Sequence, residues 1–327
     1  MPPLLRVHDL KTYYFGFRGS RVVKAVDGIS FSLEAGETFG LVGESGCGKT
    51  TTCHSIVRLL SPSARIVGGS IELNGEDLLT KSQAEMTAIR GRRIATILQD
   101  PMASLDPLFS IYSQVAEPAY YHRGFRGRSL RQRVKELLTA VRIPSPESRM
   151  KEFPHQMSGG MRQRIVGAIA QGGGPQIIIA DEPTTNLDVT IQLQYLNLLK
   201  DLQRASGVAL VFVTHNLGIV AKMCDRVAVM YAGRIVELQS VRGLFYDPRH
   251  PYTRALLDSI PKLGTREPLY VIPGQPPDLS ALPGGCSFHP RCARAMDRCR
   301  VEEPGESRWD GGATARCWLA TEEAARE

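Results

Sequence analysis

The 327-residue chain lacks any long hydrophobic run. Its longest apolar stretch, residues 207–213, falls far short of the roughly 18–20 apolar residues that a membrane-spanning helix needs. The first residues also lack the apolar region of a secretory signal. These absences argue against an integral membrane protein and a secreted one, and we expect the chain to begin and remain in the cytosol.

Acidic residues are outnumbered, with 33 Asp and Glu against 40 Lys and Arg, which gives a formal net charge of +7. This balance raises the question of nucleic-acid binding. The densest basic patch, residues 123–135, lacks the alternating aromatic residues of a base-stacking platform. A solvated helix face explains it better, and a basic surface facing anionic lipid headgroups is at least as natural. We predict no nucleic-acid partner.

Cysteines are scarce over the first 285 residues and then crowd together near the end of the chain. The scattered ones are expected to be buried thiols: Cys47, Cys53 and Cys224. The crowded ones follow the spacing C-x₅-C-x₆-C-x₁₇-C: Cys286, Cys292, Cys299 and Cys317. In a reducing cytosol a metal or cluster explains this crowding better than disulfides do. The wide spacings do not fit the close pairs of zinc sites and are compatible with a [4Fe–4S] cluster, with His289 as a spare ligand. From spacing alone, cluster, zinc and free thiols all stay open.

A phosphate-binding loop follows the β-rich run at residues 38–42. The sequence "GESGCGKTT" fits G-x-x-x-x-G-K-[ST], with a helix predicted over about residues 49–60. Glycines let backbone N–H groups curl around phosphate oxygens, so we expect Lys49 to reach the β- and γ-phosphates and the Thr50 hydroxyl to ligate Mg²⁺. The candidate residues of this loop are Gly43, Glu44, Ser45, Gly46, Cys47, Gly48, Lys49, Thr50 and Thr51.

Two further strands end in polar residues. The apolar run "IIIA" leads directly to Asp181 and Glu182, and "VALVFVT" leads to His215. Because ligands in open α/β sheets sit at the carboxyl ends of the strands, we expect these side chains to face the phosphates. Asp181 suits the Mg²⁺ shell, and Glu182 can orient and deprotonate an attacking water.

A second candidate anion site lies at "MSGGMRQR", residues 157–164. A serine and two glycines precede good helix formers, so the sequence predicts an exposed helix N-terminus. Residues from about 100 to 165 are interpreted as a helical subdomain inserted into the α/β core. Gln99 comes just before it, after a short strand.

Five motifs, "GESGCGKT", "ILQDP", "MSGGMRQR", "IIIADEPTTNLD" and "VTHN", follow in this order between residues 43 and 216. With them the chain resembles the ATP-binding subunits of ABC transporters. The resemblance implies an α/β P-loop ATPase core with an antiparallel β subdomain and an inserted helical subdomain. It also implies that two subunits stack head to tail, with each ATP between the phosphate loop of one and the signature of the other.

Residue roles follow from this resemblance by position. Tyr14 matches the aromatic residue that stacks on adenine, with Tyr13 and Phe15 as near alternatives. The hydrolytic residues would be the base Glu182, the switch histidine His215 and the Q-loop residue Gln99. The Mg²⁺ ligands would be Thr50, Gln99 and Asp181. The signature residues that contact the partner's ATP would be Gln156, Ser158, Gly159 and Gly160, and the D-loop acid would be Asp188.

The passages "FPHQMSGGMRQR", "DRVAVMYAGRIVE" and "HPYTRALLDSIP" are similar to ATPases of the oligopeptide and dipeptide importers, and "RIVGGSIELNGEDLL" to their D-type subunit. Peptide transport is therefore expected, with nickel or oligosaccharide as alternative cargo. The implied partners are an F-type paralogous ATPase or a second copy, two membrane permeases and, indirectly, an extracytoplasmic binding protein. The implied location is peripheral, on the cytoplasmic face of the cell membrane.

The resemblance also implies two regions: an ATPase nucleotide-binding domain over residues 1–255, and a small cysteine-rich extension over residues 256–327. ATPases of this type can carry a [4Fe–4S] cluster in the extension, which favours that cofactor, beside ATP and Mg²⁺, over zinc. Two rival functions are a soluble ABC ATPase acting on ribosomes or DNA and a redox-sensing module. The single ATP motif set without heptads argues against the first, and the complete hydrolytic set argues against the second.

Four departures from the family pattern stand out. Thr50 replaces the commoner serine and keeps the hydroxyl, and Met157 replaces the usual leucine with little change in volume. Asn186 stands where alanine is commoner, and glycines at residues 172–174 replace helix formers. The last two put the local loop geometry in question.

Overall fold

The computed structural model describes residues 2–16, 21–98, 100, 104–185, 187–261, 268 and 270–324, without the Glu323 side chain. Two residues singled out from the sequence, Gln99 and Asn186, lie outside the described residues.

The strands of the described residues are β1 (Leu5–Phe15), β2 (Val22–Leu33), β3 (Thr38–Val42), β4 (Ala64–Leu73), β5 (Glu76–Asp77), β6 (Ile94–Ile97), β7 (Ile177–Asp181), β8 (Ala209–Thr214), β9 (Arg226–Tyr231), β10 (Arg234–Ser240), β11 (Ser307–Arg308) and β12 (Thr314–Ala315). The α-helices are α1 (Lys49–Ile56), α2 (Gln83–Ile89), α3 (Ile111–Arg123), α4 (Gly127–Ala140), α5 (Pro146–Arg149), α6 (Gly159–Gly172), α7 (Val189–Ser206), α8 (Leu217–Met223), α9 (Val241–Tyr246), α10 (Pro251–Asp258), α11 (Asp297–Val301) and α12 (Trp318–Ala324).

The chain divides into two compact units. The first unit comprises Met1–Ser32, Phe39–Leu79 and Thr214–Glu327, and the second comprises Leu33–Thr38 and Thr80–Val213.

The first unit contains an antiparallel sheet of order β2-β1-β4-β5 and a mixed set of order β11-β12-β10-β9-β3. Strand β3 runs parallel to β9, whereas β10 is antiparallel to both β9 and β12. Strand β3 is buried along its whole length, as expected of an apolar run covered on both faces. The α/β class and the antiparallel sheet are as the sequence predicts.

Helix α1 ends at Ile56, earlier than the sequence predicts. The chain turns just beyond it because Arg58 takes a left-handed φ of +52°, which a continuing helix does not permit. The helix still begins at Lys49, directly after the glycine loop, so its N-terminus lies where the phosphate motif requires it.

The C-terminal segment shares the apolar core of the first unit. Phe288 is buried with Tyr231 and Tyr252, and its ring contacts both. Strands β11 and β12 extend the sheet from β10. A segment rich in Pro and Gly with few apolar residues of its own therefore folds onto a core that the preceding strands and helices provide.

The second unit contains the parallel strands β6, β7 and β8, whose pairs keep one register along their lengths. Strands β7 and β8 are fully buried, which matches their continuous apolar runs. Helices α3, α4, α5 and α6 follow one another between β6 and β7, with α3 packed against α4 and α6. They occupy the stretch where the sequence predicts a helical insertion, whose exact limits stay a prediction.

The glycines at residues 172–174 have a packing explanation. A Cβ on Gly173 would lie 1.9 Å from the carbonyl oxygen of Gly91, and one on Gly172 would lie 3.1 Å from Pro118 Cβ. Gly174 adopts a φ of +68°, beyond the end of α6. The chain needs glycine here because α6 ends against the backbone of a neighbouring turn.

Candidate functional site

The phosphate loop of the first unit joins β3 to α1. Gly43 has a φ of +153°, and a Cβ there would lie 2.3 Å from the carbonyl oxygen of Met230. Gly48 has a φ of +107°, and its Cβ would lie 2.1 Å from the carbonyl oxygen of Ala25. No side chain fits at either position, so the loop can follow this path only with glycine.

Lys49 lies inside this loop and is only 5% exposed. Its ammonium donates hydrogen bonds to the carbonyl oxygens of Gly43 at 2.8 Å and Glu44 at 3.0 Å. The Cys47 thiol is also buried, and burial raises its pKa. The loop thus places one cation at its centre, while Ser45, Gly46 and Thr50 are exposed to solvent.

The three aromatic residues at the end of β1 have different surroundings. Tyr14 lies beside the phosphate loop helix, with its hydroxyl 3.3 Å from Thr51 Oγ1. Tyr13 instead donates a 2.5 Å hydrogen bond to Asp27. Burial is the larger cause, and this hydrogen bond the second, that raises the pKa of Tyr13 to about 12. The Arg65 guanidinium lies over the Phe15 ring, with its carbon 5.7 Å from the ring centroid. Tyr14 is therefore in contact with the phosphate-loop helix.

The acidic pair of the second unit follows β7. Asp181 ends the strand and is 3% exposed. Glu182 has a left-handed φ of +44°, and its amide donates to the carbonyl oxygen of Val213 at 3.0 Å. Its carboxylate accepts a 3.0 Å hydrogen bond from the Thr185 hydroxyl. The two carboxylates therefore stand at the end of one buried strand in different environments, that of Asp181 buried and that of Glu182 partly exposed.

His215 belongs to the first unit and is exposed directly after β8. The next residue, Asn216, caps α8 by accepting hydrogen bonds from the amides of Gly218 and Ile219. The chain therefore changes from strand to helix immediately after the histidine.

The serine–glycine motif of the second unit opens α6. The Ser158 hydroxyl caps this helix by accepting a hydrogen bond from the Met161 amide at 3.3 Å. Gly159 has no heavy atom within 4 Å of a Cβ position, whereas a Cβ on Gly160 would lie 2.7 Å from Ile191 Cγ2. Ser158 and Gly159 are exposed, so this helix start presents its polar groups to solvent.

The residues flanking this motif have structural partners. Gln156 accepts a hydrogen bond from the Phe153 amide at 2.8 Å, and Met157 is buried as a leucine would be. Asp188 caps α7 by accepting from the Ile191 amide at 3.0 Å. The starts of α6 and α7 therefore meet where Ile191 packs on Gly160.

The four C-terminal cysteines line one small cavity of about 20 Å³, together with His289. Each is a free thiol rather than half of a disulfide, and burial raises the pKa of Cys286 to about 11. Among the described residues, no three His, Cys, Asp or Glu side chains meet in an arrangement that could hold a metal ion. The four thiols therefore lie around the same cavity although they are widely spaced in the sequence. They are not arranged as the coordination shell of a metal.

Sequence reasoning missed two residues that contact the phosphate loop. Arg291 forms an ion pair with Glu44, and the Tyr252 hydroxyl accepts a hydrogen bond from the Glu44 amide at 3.0 Å. Both lie more than 200 positions away along the chain. No local pattern signals such contacts.

No helix of the described residues has both the length and the apolar character needed to cross a membrane.

Residues 26–185 match the family described as ABC transporter, and residues 236–299 match the family described as Oligopeptide/dipeptide transporter, C-terminal region.

Similar proteins cover the whole chain. It is 47% identical over 322 residues to the Probable peptide ABC transporter ATP-binding protein y4tR of Sinorhizobium fredii, covering 98% of this chain and 96% of that protein. It is 45% identical over 329 residues to the Oligopeptide transport ATP-binding protein AppD of Bacillus subtilis, covering 100% of both. The dimeric structure of the ATP-binding cassette MJ0796 with ADP and Pi aligns with a TM-score of 0.65 at 26% identity, covering 73% of this chain and 99% of that chain.

Proposed function

The chain belongs to the ABC transporter family and is an ATP-hydrolysing subunit of the oligopeptide and dipeptide transporter group; we propose that it powers the import of peptides. The observation that carries this proposal is the glycine-dependent loop around Lys49, in a chain that also matches the group's C-terminal region. Peptide is the proposed cargo because both full-length relatives described above carry peptide transport in their names.

We propose that the phosphate loop binds the ATP phosphates, with Lys49 as the central cation and Thr50 as a Mg²⁺ ligand. Tyr14 is the proposed adenine-stacking residue, supported by its contact with Thr51 at the start of α1. Mg²⁺ would neutralise phosphate charge, and its other proposed ligands are Asp181 and Gln99.

The proposed general base is Glu182, with His215 as the residue that senses the γ-phosphate. Ser158, Gly159, Gly160 and Gln156 are proposed to contact the ATP that a partner subunit binds, with Asp188 beside that contact. The exposed, dipole-bearing start of α6 supports this assignment, because an anion from another molecule can reach it.

The proposed partners are a second ATPase, either an F-type paralogue or another copy of this chain, and two membrane permeases, which an extracytoplasmic binding protein would serve. The proposed location is therefore peripheral, on the cytoplasmic face of the cell membrane.

The test of the proposed function is purification of the chain from membranes in its native host. Recovery with two polytopic membrane proteins and peptide-stimulated ATP hydrolysis would support the proposal, and recovery with ribosomes would contradict it.

We also propose that residues 1–255 form the ATPase domain and residues 256–327 an extension whose four cysteines bind a metal centre. Thiolates are the donors that a [4Fe–4S] cluster requires, with zinc as the alternative. The gathering of all four thiols around one cavity supports a shared ligand. Binding would require the side chains to rearrange, since they do not form a coordination shell among the described residues.

The metal proposal has a direct test. Protein purified without oxygen should be brown and contain about four irons per chain when the site is full. Cys292→Ser should remove the colour, whereas Cys224→Ser, outside the C-terminal group, should not. Colourless protein with one zinc per chain would contradict the cluster, and metal-free protein would contradict any metal centre.

A further inference from the structure

Glu44, the second residue of the phosphate loop, is held by an arginine from the C-terminal cysteine segment, residues 286–317. Arg291 lies on the short turn His289–Arg291, between Cys286 and Cys292. Its two terminal nitrogens donate to the two carboxylate oxygens of Glu44, at 2.7 and 3.0 Å. Paired hydrogen bonds of this kind fix the orientation of both groups as well as neutralising them.

The arginine itself is fixed on every side. Its side chain is 4% exposed, against 28% for Glu44. Its Nε donates to the carbonyl oxygen of Pro273 at 2.9 Å, and its guanidinium lies 5.8 Å from the Tyr231 ring centroid. A buried guanidinium with these contacts has little freedom to follow Glu44 if the loop moves, so it acts as a fixed support for the loop.

A second contact joins the same two regions. The Glu44 amide donates to the Tyr252 hydroxyl at 3.0 Å, and the Tyr252 ring packs on Phe288, two residues after Cys286. Both the backbone and the side chain of Glu44 are therefore held by residues that pack with the cysteine segment. The phosphate loop and the cysteine segment share one continuous set of contacts within the first unit.

The charge of Glu44 makes this contact matter for an anionic ligand. A carboxylate in a loop that binds phosphates repels them unless a cation neutralises it, and the repulsion is strong where water is partly excluded. Arg291 supplies that cation from outside the loop. Without it, Lys49 would be opposed by an unpaired negative charge five residues earlier in the chain.

We infer that Arg291 is a positioning residue for the phosphate loop: it neutralises and orients Glu44, and thereby couples the cysteine segment to ATP affinity. The inference rests on the proposed role of the loop in binding ATP. Because such coupling is reciprocal, any change that moves the turn at Arg291 alters ATP binding, and ATP binding stabilises that turn.

The test measures binding of magnesium ATP to the full-length chain at low and at high salt. Arg291→Met should weaken binding by roughly fivefold or more, the lower end of typical coupling between sites. The loss should shrink at high salt, because salt screens the repulsion from Glu44. Arg291→Lys, which keeps the charge but not the paired geometry, should recover part of the affinity. Arg308→Met, which removes an exposed arginine paired with Glu306, is the matched control and should bind normally.

The double variant Glu44→Gln/Arg291→Met separates charge from structure. It should bind ATP more tightly than Arg291→Met alone, because the repelling carboxylate is gone. Hydrogen exchange of residues 286–299 should slow on addition of ATP in the wild type and respond less in Arg291→Met. If Arg291→Met fails to fold, Arg291→Lys and the double variant still decide the question.

Two results would overturn the inference: wild-type ATP affinity in folded Arg291→Met, or equal losses in the single and double variants. The variant Lys49→Met distinguishes a failure of this inference from a failure of the proposed ATP-binding role of the loop. If that variant still binds ATP normally, the proposed role of the loop is wrong. If it loses ATP while Arg291→Met does not, only the inference about Arg291 is wrong.

Discussion

At the scale of single residues, the backbone of Glu182 carries information that its side chain alone does not. A φ of +44° is uncommon for a residue with a Cβ, and such conformations cost free energy that the surroundings must offset. Two hydrogen bonds hold the residue in place: its amide donates to the Val213 carbonyl oxygen, and its carboxylate accepts from the Thr185 hydroxyl. Strain at the end of a buried strand, on the residue proposed as the general base, fits a carboxylate whose direction is set by the backbone.

Glu182→Gln is therefore expected to leave ATP binding intact and to slow hydrolysis by roughly 10²–10⁴, the usual effect of removing a general base. Glutamine keeps the size and the hydrogen-bonding capacity of the side chain, so the strand end should be unchanged. Steady-state hydrolysis and ATP binding in the assembled transporter would measure both effects. Glu136→Gln, an exposed helix residue paired with Arg133, is the matched control. Normal hydrolysis in Glu182→Gln would refute the assignment of the base.

Asp27, on β2, forms a largely buried ion pair beside Tyr13 of β1. It is 7% exposed, accepts from Tyr13 at 2.5 Å and pairs with Arg234 at 2.8 Å. Burial alone would raise the pKa of this carboxyl, but the hydrogen bonds from Tyr13 and Arg234 and the nearby cations outweigh it and lower the pKa. A carboxyl with a depressed pKa in the folded state stabilises the protein above its unfolded pKa, near 4, and loses that contribution as the pH falls.

Asp27→Asn should accordingly lower the free energy of unfolding at pH 7 by about 1.5–3 kcal/mol, the usual range for a hydrogen bond to a charged group. The difference from the wild type should narrow as the pH falls below about 4, because the unfolded chain then binds a proton at Asp27 while the folded carboxylate, with its lowered pKa, still resists protonation. Urea unfolding at several pH values would measure this. A difference that stays constant down to pH 3 would show that the carboxylate charge is not the stabilising feature.

At the scale of elements, the two ends of α6 are built differently. Its start is capped by Ser158 and is open to solvent, whereas its end is packed against the turn at Gly91 and against Pro118. Glycine at the open end fits a ligand that must approach the backbone, and glycine at the packed end fits close contact within the protein.

These two ends give a paired prediction. Gly173→Ala should destabilise the protein by about 1–3 kcal/mol, the cost of overpacking a tight contact, because its Cβ would overlap the Gly91 carbonyl oxygen. Gly159→Ala, with no heavy atom within 4 Å of the new Cβ, should keep or slightly raise stability. Thermal unfolding of both variants would measure the contrast. Equal midpoints for Gly173→Ala and the wild type would show that the contact relaxes.

Elements whose signals are local could be predicted from the sequence. The loop around Lys49, the buried strand before Asp181 and the helix start at Ser158 each depend on neighbouring residues: glycine, a continuous apolar run, or a serine cap. The glycines at residues 172–174 departed from the family pattern without a local reason, because the backbone that requires them, at Gly91, lies about 80 positions earlier. The sequence showed unexpected glycines at the end of α6, and the contact with Gly91 in the folded chain explains them.

The contacts of the site could be predicted less well than its motifs. The family resemblance favours Tyr14 by position but leaves Tyr13 and Phe15 as near alternatives, since the alternation of a strand places neighbours on opposite faces without saying which face meets the loop. The structure gives Tyr13 and Tyr14 different partners, Asp27 and Thr51, and the adenine-stacking role of Tyr14 stays a prediction. The pair of Glu44 with Arg291, 247 positions apart, carries no local signal at all.

At the scale of the whole molecule, the chain carries two features suited to phosphate. The first unit contributes the loop at Lys49 in front of α1, and the second contributes the exposed N-terminus of α6. A single chain needs only one of these to bind ATP. The proposed contact of Ser158 with the ATP held by a partner subunit would explain the second, because each chain would then complete the site of the other.

Ser158→Arg tests whether Ser158 serves the ATP of a partner subunit while the loop at Lys49 binds the ATP of its own chain. The monomeric variant should bind ATP as the wild type does, because Lys49 and the loop belong to the other unit and are unchanged. In the assembled transporter the same variant should lose most hydrolysis, since the long arginine side chain at the start of α6 would sterically block the site proposed to contact the partner's ATP. ATP binding by the monomer and hydrolysis by the complex measure the two arms, with Lys49→Met as the variant that loses ATP in both. Reduced ATP affinity in the monomeric Ser158→Arg protein would contradict the assignment, because Ser158 would then serve the ATP of its own chain.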